Sequence, residues 1–343
     1  MIKNIKLTNF KSILNWTLDF SNLTVLTGLN ASGKSSIIQA LRLINLAYDK
    51  NKNGGNIELL DHVKPQFLKS KLSKDDYYQI EVNTENEEFS LLVKTASDSY
   101  KPEIIDIQHN FPQIYYLSAD RLGPTNTMAL SLDGERLIGE KGQFVVDFLD
   151  KNKYSKIDEK LLYKEGASNL MMENVNGWLG KIVPKVIFNY EIEPLRSSAY
   201  PYYDGIVPTE TGFGLSFTLP VITLLLYSFK DTNTLFLIEN PEAHLHPAAQ
   251  TAMGILLAKA AASGKQIVVE THSDHIIDGI RIAAKKYYIN SNGVRFHYFS
   301  KSDFEHETTI QSPTLFQDGK LSVWPKGFFD QSVIDKMELL KNE

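Results

Sequence analysis

The chain has 343 residues, of which 43% are hydrophobic and 22% are charged, and its formal net charge is −5. These values are ordinary for a globular protein and disfavour a globally basic nucleic-acid binder, although they leave room for a local basic patch. The chain contains no cysteine, which excludes disulfides and thiolate zinc sites. No signal-peptide or membrane-spanning pattern is visible, so we expect a cytoplasmic protein without membrane contact.

Residues 1–27 alternate apolar and polar side chains, which predicts two antiparallel strands and then a buried strand at 23–27. Residues 28–35 (GLNASGKS) follow and match G-x-x-x-x-G-K-[ST] at every fixed position. Residues 36–44 have the apolar spacing of a helix, which we expect to end near Tyr48. Strand, glycine loop and helix are the context of a phosphate-binding loop; the alternative is a chance match in a glycine turn.

In such a loop, backbone N–H groups surround phosphate oxygens at a helix N-terminus. We therefore predict that a nucleoside triphosphate binds here, with Lys34 on the β- and γ-phosphates and the Ser35 hydroxyl on Mg²⁺. The predicted nucleotide-binding residues of this loop are Asn30, Ala31, Ser32, Gly33, Lys34, Ser35 and Ser36.

The middle of the chain is harder to interpret. Residues 77–94 indicate a hairpin, and residues 114–117 indicate a buried strand. Residues 125–205 are the least readable, with an amphipathic run at 143–149 and a predicted helix around 158–182.

The last third alternates strands and helices. An apolar run at 217–229 predicts a buried helix, 234–239 and 266–270 predict buried strands, and 248–262 predicts a helix of small residues. This alternation predicts an α/β fold with a mainly parallel sheet, in which ligands bind at the C-terminal ends of the strands.

Three polar side chains follow those predicted strands. Glu239 closes an apolar strand, and we predict that it serves Mg²⁺ opposite Ser35; a helix cap is the alternative. Glu242 is a candidate to polarise the attacking water, or an acid in the first turn of a helix. His272 is placed to donate to a γ-phosphate, unless it is structural. Glu239, Glu242 and His272 are thus the predicted catalytic residues.

A second glycine-rich helix start contains Gly212, Gly214 and Ser216. Helix starts of this kind bind anions through backbone N–H groups. Because the chain already has a phosphate loop, we predict that these residues contact the nucleotide of another subunit. The alternative is an ordinary turn before a core helix.

With these motifs in this order, the chain resembles the ABC-type ATPase heads of the RecF, Rad50 and SMC proteins. More closely, it looks like the compact bacterial AAA-type ATPases related to the overcoming-lysogenization-defect (OLD) family. The matching segments are residues 7–12 (LTNFKS), the loop at 28–35, residues 212–216 as a degenerate signature motif, 238–247 (IENPEAHLHP) as Walker B with its D-loop, 270–273 (ETHS) as the switch-histidine loop, and 318–330 as a tail like that of an uncharacterised branch.

The resemblance implies a single ABC-type domain over residues 1–343, with a mainly parallel central sheet and an N-terminal antiparallel β subdomain. Its parts would be an N-terminal lobe at 1–124, a variable and partly helical insert at 125–205, and a C-terminal lobe at 206–343. It also implies a head-to-tail homodimer, or a higher oligomer, that encloses two ATP molecules with Mg²⁺.

The chain departs from the family pattern in three places. Glutamate replaces the usual Walker B aspartate at 239, Asn240 stands where many relatives carry the catalytic glutamate, and residues 212–216 lack the Ser-Gly-Gly run. These departures predict slow hydrolysis and make Glu242 the substitute candidate for water activation. Gln113 is a weak candidate for the Q-loop residue.

Two functions from different classes follow from the resemblance. The first is an ATP-switched scaffold that controls a separate effector, a nuclease or toxin, in bacterial antiphage defence, because an OLD-type nuclease domain and long coiled-coil arms are not evident. The alternative is a RecF-like DNA clamp, in which lysines at 64, 69, 71 and 74 face DNA; a solvated helix face is the favoured interpretation of these lysines. An energising subunit of a transporter ranks third.

Overall fold

The computed structural model describes most of the chain. The described residues are 1–52, 63–95, 102–105, 111–131, 138–229, 233–301, 307–325 and 331–340. The strands are β1 (Ile2–Phe10), β2 (Ile13–Asp19), β3 (Leu23–Gly28), β4 (Tyr77–Thr84), β5 (Glu88–Lys94), β6 (Pro102–Ile105), β7 (Gln113–Leu117), β8 (Met128–Ala129), β9 (Phe188–Glu193), β10 (Ser198–Tyr203), β11 (Thr234–Glu239), β12 (Gln266–Glu270), β13 (Val294–Lys301) and β14 (Thr308–Gln311). The α-helices are α1 (Lys34–Lys52), α2 (Val145–Asn152), α3 (Met171–Ile182), α4 (Phe213–Leu226), α5 (Pro247–Ala262), α6 (Asp274–Lys285) and α7 (Gln331–Leu340).

A six-stranded sheet forms the centre, in the order β14-β13-β3-β12-β11-β7. All neighbours are parallel except β14, which is antiparallel to β13 at the edge. Strands β3, β11 and β12 are buried almost from end to end, as expected of parallel strands covered on both faces. This sheet confirms the predicted α/β class, and it brings the C-terminal ends of β3, β12 and β11 side by side.

A five-stranded antiparallel sheet, in the order β2-β1-β4-β5-β6, forms the predicted N-terminal subdomain. Buried and partly exposed positions alternate along β4, as in a sheet with one face on a core. Strands β4 and β5 are the predicted hairpin. The Gln266 side chain joins this sheet to the central one, because it accepts a hydrogen bond from the Ile2 N–H (2.8 Å) and donates one to the Ile2 carbonyl (2.6 Å).

The predicted helix around 158–182 is only partly correct. A 3₁₀ turn at Glu159–Leu161 begins with the Asp158 carboxylate accepting from the Lys160 N–H, and the α-helix starts only at Met171. Gly166, with a φ of +72°, lies between the two. The indole of Trp178 then donates to the Leu161 carbonyl at 2.8 Å and ties the turn to α3.

The same region contains a three-stranded antiparallel sheet, β8-β10-β9, that the sequence did not predict. Its strands are short and rich in tyrosine and charged residues, so their alternation was difficult to distinguish from a loop. Helices α2 and α3 pack with α4 and α5 in one hydrophobic cluster. The division of the chain at 124 and 205 stays a prediction.

Helix α4 is the predicted buried helix, displaced toward the N-terminus relative to the apolar run at 217–229. It begins at Phe213, contains Pro220, and is buried at nearly every position from Leu215 onward. Helix α1 continues to Lys52, beyond its predicted end, and α5 starts one residue before its predicted start. In the described part of the chain, no helix is long and apolar enough to cross a membrane.

The start of the glycine loop packs directly on the neighbouring strand β13. Gly28 has a φ of +134°, and a Cβ placed on it would lie 2.0 Å from the Phe299 carbonyl oxygen. The N–H of the next residue, Leu29, donates to the same oxygen at 3.1 Å. Glycine is therefore required at 28 both for its backbone conformation and for space.

Gly28→Ala should destabilise the protein by on the order of 2 kcal/mol or more, because the added methyl group meets backbone and the residue has a left-handed φ. Urea unfolding measures this change. Gly180→Ala is the matched control: position 180 has open space around it and lies inside α3, where alanine favours the helix. Equal stabilities of the two variants would contradict the packing of the loop on β13.

Candidate functional site

A cavity of about 500 Å³ lies at the C-terminal end of β3, between the glycine loop and the end of β12. The structure brings the predicted loop residues together there with His272. It adds Lys11, Ser12 and Glu270, which lie in matching segments of the sequence but were not among the predicted binding or catalytic residues. The cavity is lined by Lys11, Ser12, Asn30, Ala31, Ser32, Gly33, Lys34, Ser35, Ser36, Glu270 and His272.

Thr308, the first residue of β14, supports the loop from behind. Its buried hydroxyl donates to the Ser32 carbonyl at 2.8 Å and lies 2.8 Å from the Ser12 hydroxyl. A Cβ on Gly33, whose φ is +108°, would lie 2.7 Å from that hydroxyl. The loop is thus held by a residue far away in sequence, which no local pattern indicated.

Lys34 is folded back onto the loop. Its ammonium donates to the carbonyls of Gly28 (3.1 Å) and Leu29 (2.6 Å), and the residue is only 3% exposed. Burial lowers the pKa of Lys34, and the negative charge of Glu270 opposes that shift. Because carbonyls are weaker partners than phosphate for a buried cation, an anion in the cavity would compete for this ammonium.

Ser35 has a carboxylate partner, and it is Glu270. The Ser35 hydroxyl donates to Glu270 Oε1 at 3.0 Å, while Oε2 is buried and has no hydrogen-bond partner among the described residues. Burial raises the pKa of Glu270 to about 7; the charges of Glu239 and Glu242 add to the shift, and Ser35 and Lys34 oppose it. The sequence signal for Glu270 was weak: it is a carboxylate that ends a strand otherwise made of apolar residues and one glutamine.

Glu239 lies one strand further from the loop than Glu270. Its Oε2 accepts from the Tyr116 hydroxyl (3.2 Å) and from the Ala119 N–H (3.0 Å), and the residue does not line the cavity. Burial raises the pKa of Tyr116, which keeps this phenol a donor. Glu239 does not cap a helix in this arrangement, and its assignment to Mg²⁺ stays a prediction.

Glu242 is buried beneath the switch-histidine loop. Its Oε1 accepts from the His272 N–H at 2.7 Å, and burial raises the pKa of its carboxyl group. Because α5 begins only at Pro247, the interpretation of Glu242 as a first-turn helix acid is wrong. His272 lines the edge of the cavity and is exposed there to solvent. Its ring is nevertheless partly desolvated, and this desolvation, together with the charge of Lys34, lowers its pKa.

Arg121 connects the end of β7 to the end of β11. The guanidinium, 3% exposed, donates to the carbonyls of Ser118 (3.0 Å), Glu239 (2.6 Å) and Asn240. Burial lowers its pKa to about 10, and Glu242 and Glu239 oppose that shift. Asn240 itself has a φ of +43°, which asparagine tolerates better than most residues. The sequence did not assign Arg121 a role.

The glycine-rich start of α4 does not line the cavity of its own chain. Gly212 precedes the helix, with no side chain capping the first turn, and Gly214 packs on the His244 carbonyl. Ser216 is buried, whereas Phe213 is 54% exposed. None of these residues lines the cavity, so the structure does not join the two predicted anion-binding segments within one chain.

Comparison with known families and structures adds three findings. A family described as "AAA ATPase domain" matches residues 1–202 and 150–277, and one described as "Protein of unknown function (DUF3696)" matches residues 289–339. The search of curated proteins found no match. Solved structures of SMC heads and of RecF are similar to the chain.

An SMC head bound to the C-terminal winged-helix domain of ScpA has 16% identity over 92% of this chain and 98% of that chain, with a TM-score of 0.55. An SMC head with an extended coiled coil from Pyrococcus furiosus, bound to the C-terminal domain of ScpA, has 13% identity over 99% of both chains and a TM-score of 0.56. The recombination mediator RecF has 13% identity over 90% of this chain and 98% of that chain, and its TM-score of 0.44 is too low to support a conclusion. At these identities, the SMC matches show a shared fold.

The raised pKa of Glu270 predicts a pH dependence of stability in the protein without metal and nucleotide. The folded carboxyl group holds its proton up to about pH 7, whereas the unfolded group loses it near 4.5. Stability should therefore fall as the pH rises through this interval. Glu270→Gln should remove this loss, which is on the order of 2 kcal/mol.

Thermal unfolding in EDTA between pH 5 and pH 8 measures the difference between wild type and Glu270→Gln at each pH. Glu140→Gln, at an exposed carboxylate that pairs with Arg42 away from the cavity, is the control. Stability curves that stay parallel for wild type and Glu270→Gln would contradict the buried, proton-retaining state of Glu270.

Proposed function

We propose that this chain, which belongs to the AAA ATPase domain family, is an ATP-dependent switch that dimerises around two ATP molecules and controls a separate effector protein. The observation that carries the proposal is a cavity lined by the phosphate loop, combined with a glycine-rich helix start that has no side-chain cap and does not line this cavity. We further propose a relationship to the OLD family, and a role in bacterial antiphage defence with a separate nuclease or toxin as effector.

The cavity fits a triphosphate with magnesium. The loop supplies backbone N–H groups at the start of α1, Lys34 supplies a cation, and the Ser35 hydroxyl supplies a hard oxygen ligand, the kind that Mg²⁺ prefers. Within the described residues, no three His, Asp or Glu side chains can hold a metal by themselves, so the ion depends on the phosphates of the nucleotide. When bound beside Ser35, Mg²⁺ would neutralise charge on the triphosphate.

The residues of this chain then have distinct tasks. Lys34 leaves its loop carbonyls and binds the phosphates, and His272 faces the γ-phosphate from the end of β12. Glu242 holds the backbone of His272, which fixes the position of the switch loop. With Asn240 at the usual place of the catalytic glutamate, water activation falls to Glu242 or to a group on the partner, and hydrolysis is slow.

The start of α4 supports a head-to-tail dimer. Its first-turn N–H groups have no side-chain cap, and its neighbour Phe213 is largely exposed. A two-fold arrangement would place this helix start against the loop of a second copy, where the free N–H groups would meet phosphate oxygens. Each nucleotide would then join two chains.

The proposal of a separate effector protein is supported by the role of β13 and β14 in holding the phosphate loop. Strands β13 and β14 brace the phosphate loop through Phe299 and Thr308, and so this part of the chain serves the nucleotide site. The alternative DNA clamp has weaker support, because the ammonium of Lys69 already donates to the carbonyls of Ser70 and Ser73.

Gly212→Asp should leave nucleotide binding intact and abolish dimerisation. The position has open space and an ordinary φ, so the monomer accepts the side chain, and the carboxylate caps α4 while repelling the partner's phosphates. Lys34→Ala should abolish nucleotide binding itself. Nucleotide titration and mass measurement with and without ATP and Mg²⁺ separate the two effects; Gly180→Asp is the control.

Mixing the two variants tests whether the site is composite. A mixed dimer carries both substitutions at one nucleotide site and neither at the other. Because neither variant should form an ATP-bound homodimer, hydrolysis should recover to roughly half of the wild-type rate at most. No recovery on mixing, or an ATP-bound dimer formed by Gly212→Asp, would contradict the head-to-tail arrangement.

The effector role predicts that a second protein co-purifies when the chain is expressed with its neighbouring genes, and that its retention changes between ATP and ADP. Lys34→Ala is the control, since it cannot switch. A dimer that forms with ATP, retains no protein and binds DNA would establish the clamp instead.

A further inference from the structure

The phosphate-loop hydroxyl and the acid at the end of β11 do not face each other in this structure. The Ser35 hydroxyl donates to Glu270, at the end of β12, and Glu239 instead binds the Tyr116 hydroxyl and the Ala119 N–H. The sequence had assigned the carboxylate opposite Ser35 to Glu239.

We propose that Glu270, and not Glu239, is the carboxylate that faces Mg²⁺ together with Ser35, while Glu239 is a positioning residue for the turn after β7. The proposal rests on the ATP-binding function proposed above. It goes further by assigning the metal-facing carboxylate to the end of β12 instead of the end of β11.

The order of the strands explains the exchange of roles. Glu239 and Glu270 are paired positions on the parallel strands β11 and β12, and Glu270 is in turn paired with Leu26 on the phosphate-loop strand β3. Neighbouring strands lie about 4.8 Å apart, so Glu270 begins one strand spacing closer to the loop. Of the two carboxylates, only Glu270 lines the cavity.

The free oxygen of Glu270 is the second observation. Glu270 is only 5% exposed, and its Oε2 has no hydrogen-bond partner among the described residues. A buried carboxylate oxygen without a partner is unfavourable, and native proteins rarely retain one without a ligand or a role. A divalent cation between this oxygen and the phosphates would supply the missing partner, and Mg²⁺ commonly takes one or two carboxylates with phosphates and water.

The contacts of Glu239 indicate a different task. One oxygen holds both a phenol and a backbone N–H at the end of β7, and Arg121 holds the carbonyls of Glu239 and Asn240 from the same side. These contacts set the relative position of the turns that follow β7 and β11. Turning Glu239 toward a metal would break two hydrogen bonds, whereas Glu270 has to release only Ser35.

The test compares Glu270→Gln with Glu239→Gln, two amide replacements at paired positions of neighbouring strands. Mn²⁺ binding with ATP, followed by electron paramagnetic resonance, reports the metal directly. The affinity for a fluorescent ATP analogue is then measured in Mg²⁺ and in EDTA, and the EDTA value also shows that each variant is folded.

Glu270→Gln should weaken metal binding about 10- to 100-fold, while ATP affinity in EDTA stays at or above the wild-type value because a negative charge has left the cavity. Glu239→Gln should keep the metal affinity within a few fold and lower the thermal stability. Glu270→Asp keeps the carboxylate and should bind Mn²⁺ more tightly than Glu270→Gln.

Loss of metal binding in Glu239→Gln with retention in Glu270→Gln would overturn the assignment, and so would an equal loss in both. A failure of the proposed function looks different, because wild type would then bind no ATP in either Mg²⁺ or EDTA.

Discussion

Close packing of the phosphate loop against the C-terminal strands is the constraint on which the rest of the structure depends. Gly28 lies against the Phe299 backbone, and Thr308 holds the Ser32 carbonyl and excludes a side chain at Gly33. The loop presents its N–H groups to phosphate, and although Lys34 binds the carbonyls of Gly28 and Leu29, the Ser32 carbonyl depends on a donor from another part of the chain. The position of α1, and with it Ser35, follows from this support.

A second set of contacts runs along the C-terminal edge of the central sheet. Arg121 binds the carbonyls at the end of β11, Asn240 donates to the Glu270 carbonyl at 2.8 Å, and Glu242 binds the backbone of His272. Each contact joins the end of one strand to the loop after another. Two buried carboxylates, the half-buried Glu239 and two buried cations therefore share one region, and the charge of each group depends on the others.

Patterns local in sequence predicted the fold well. The buried strands β3, β11 and β12 had continuous apolar runs, and the glycine loop had a strand before it and a helix after it, so the sheet and the cavity followed from short segments. The sheet around β10 escaped prediction because tyrosines and charged residues obscured its alternation. The support by Thr308 and the position of Arg121 also escaped, since both depend on contacts between distant segments.

The position of Glu239 relative to the phosphate loop shows where sequence motifs reach their limit. The motif correctly placed an acid at the end of β11, but the order of strands places Glu270 between that acid and the loop. Strand order arises from the packing of the whole sheet, and a single sequence contains no local signal for it. The alternative for Glu242 as a helix acid failed for a similar reason, because the turn before α5 continues to His246.

The contact between Thr308 and Ser32 spans 276 residues of sequence, and this separation has a consequence for folding. Long-range contacts of this kind form late, because the loop they close costs chain entropy before any contact stabilises it. During synthesis from the N-terminus, the phosphate loop emerges long before the strands that shape it. The nascent chain therefore acquires its nucleotide site only once β14 has been made, and products truncated before β14 lack the shaped loop that would bind ATP or engage a partner.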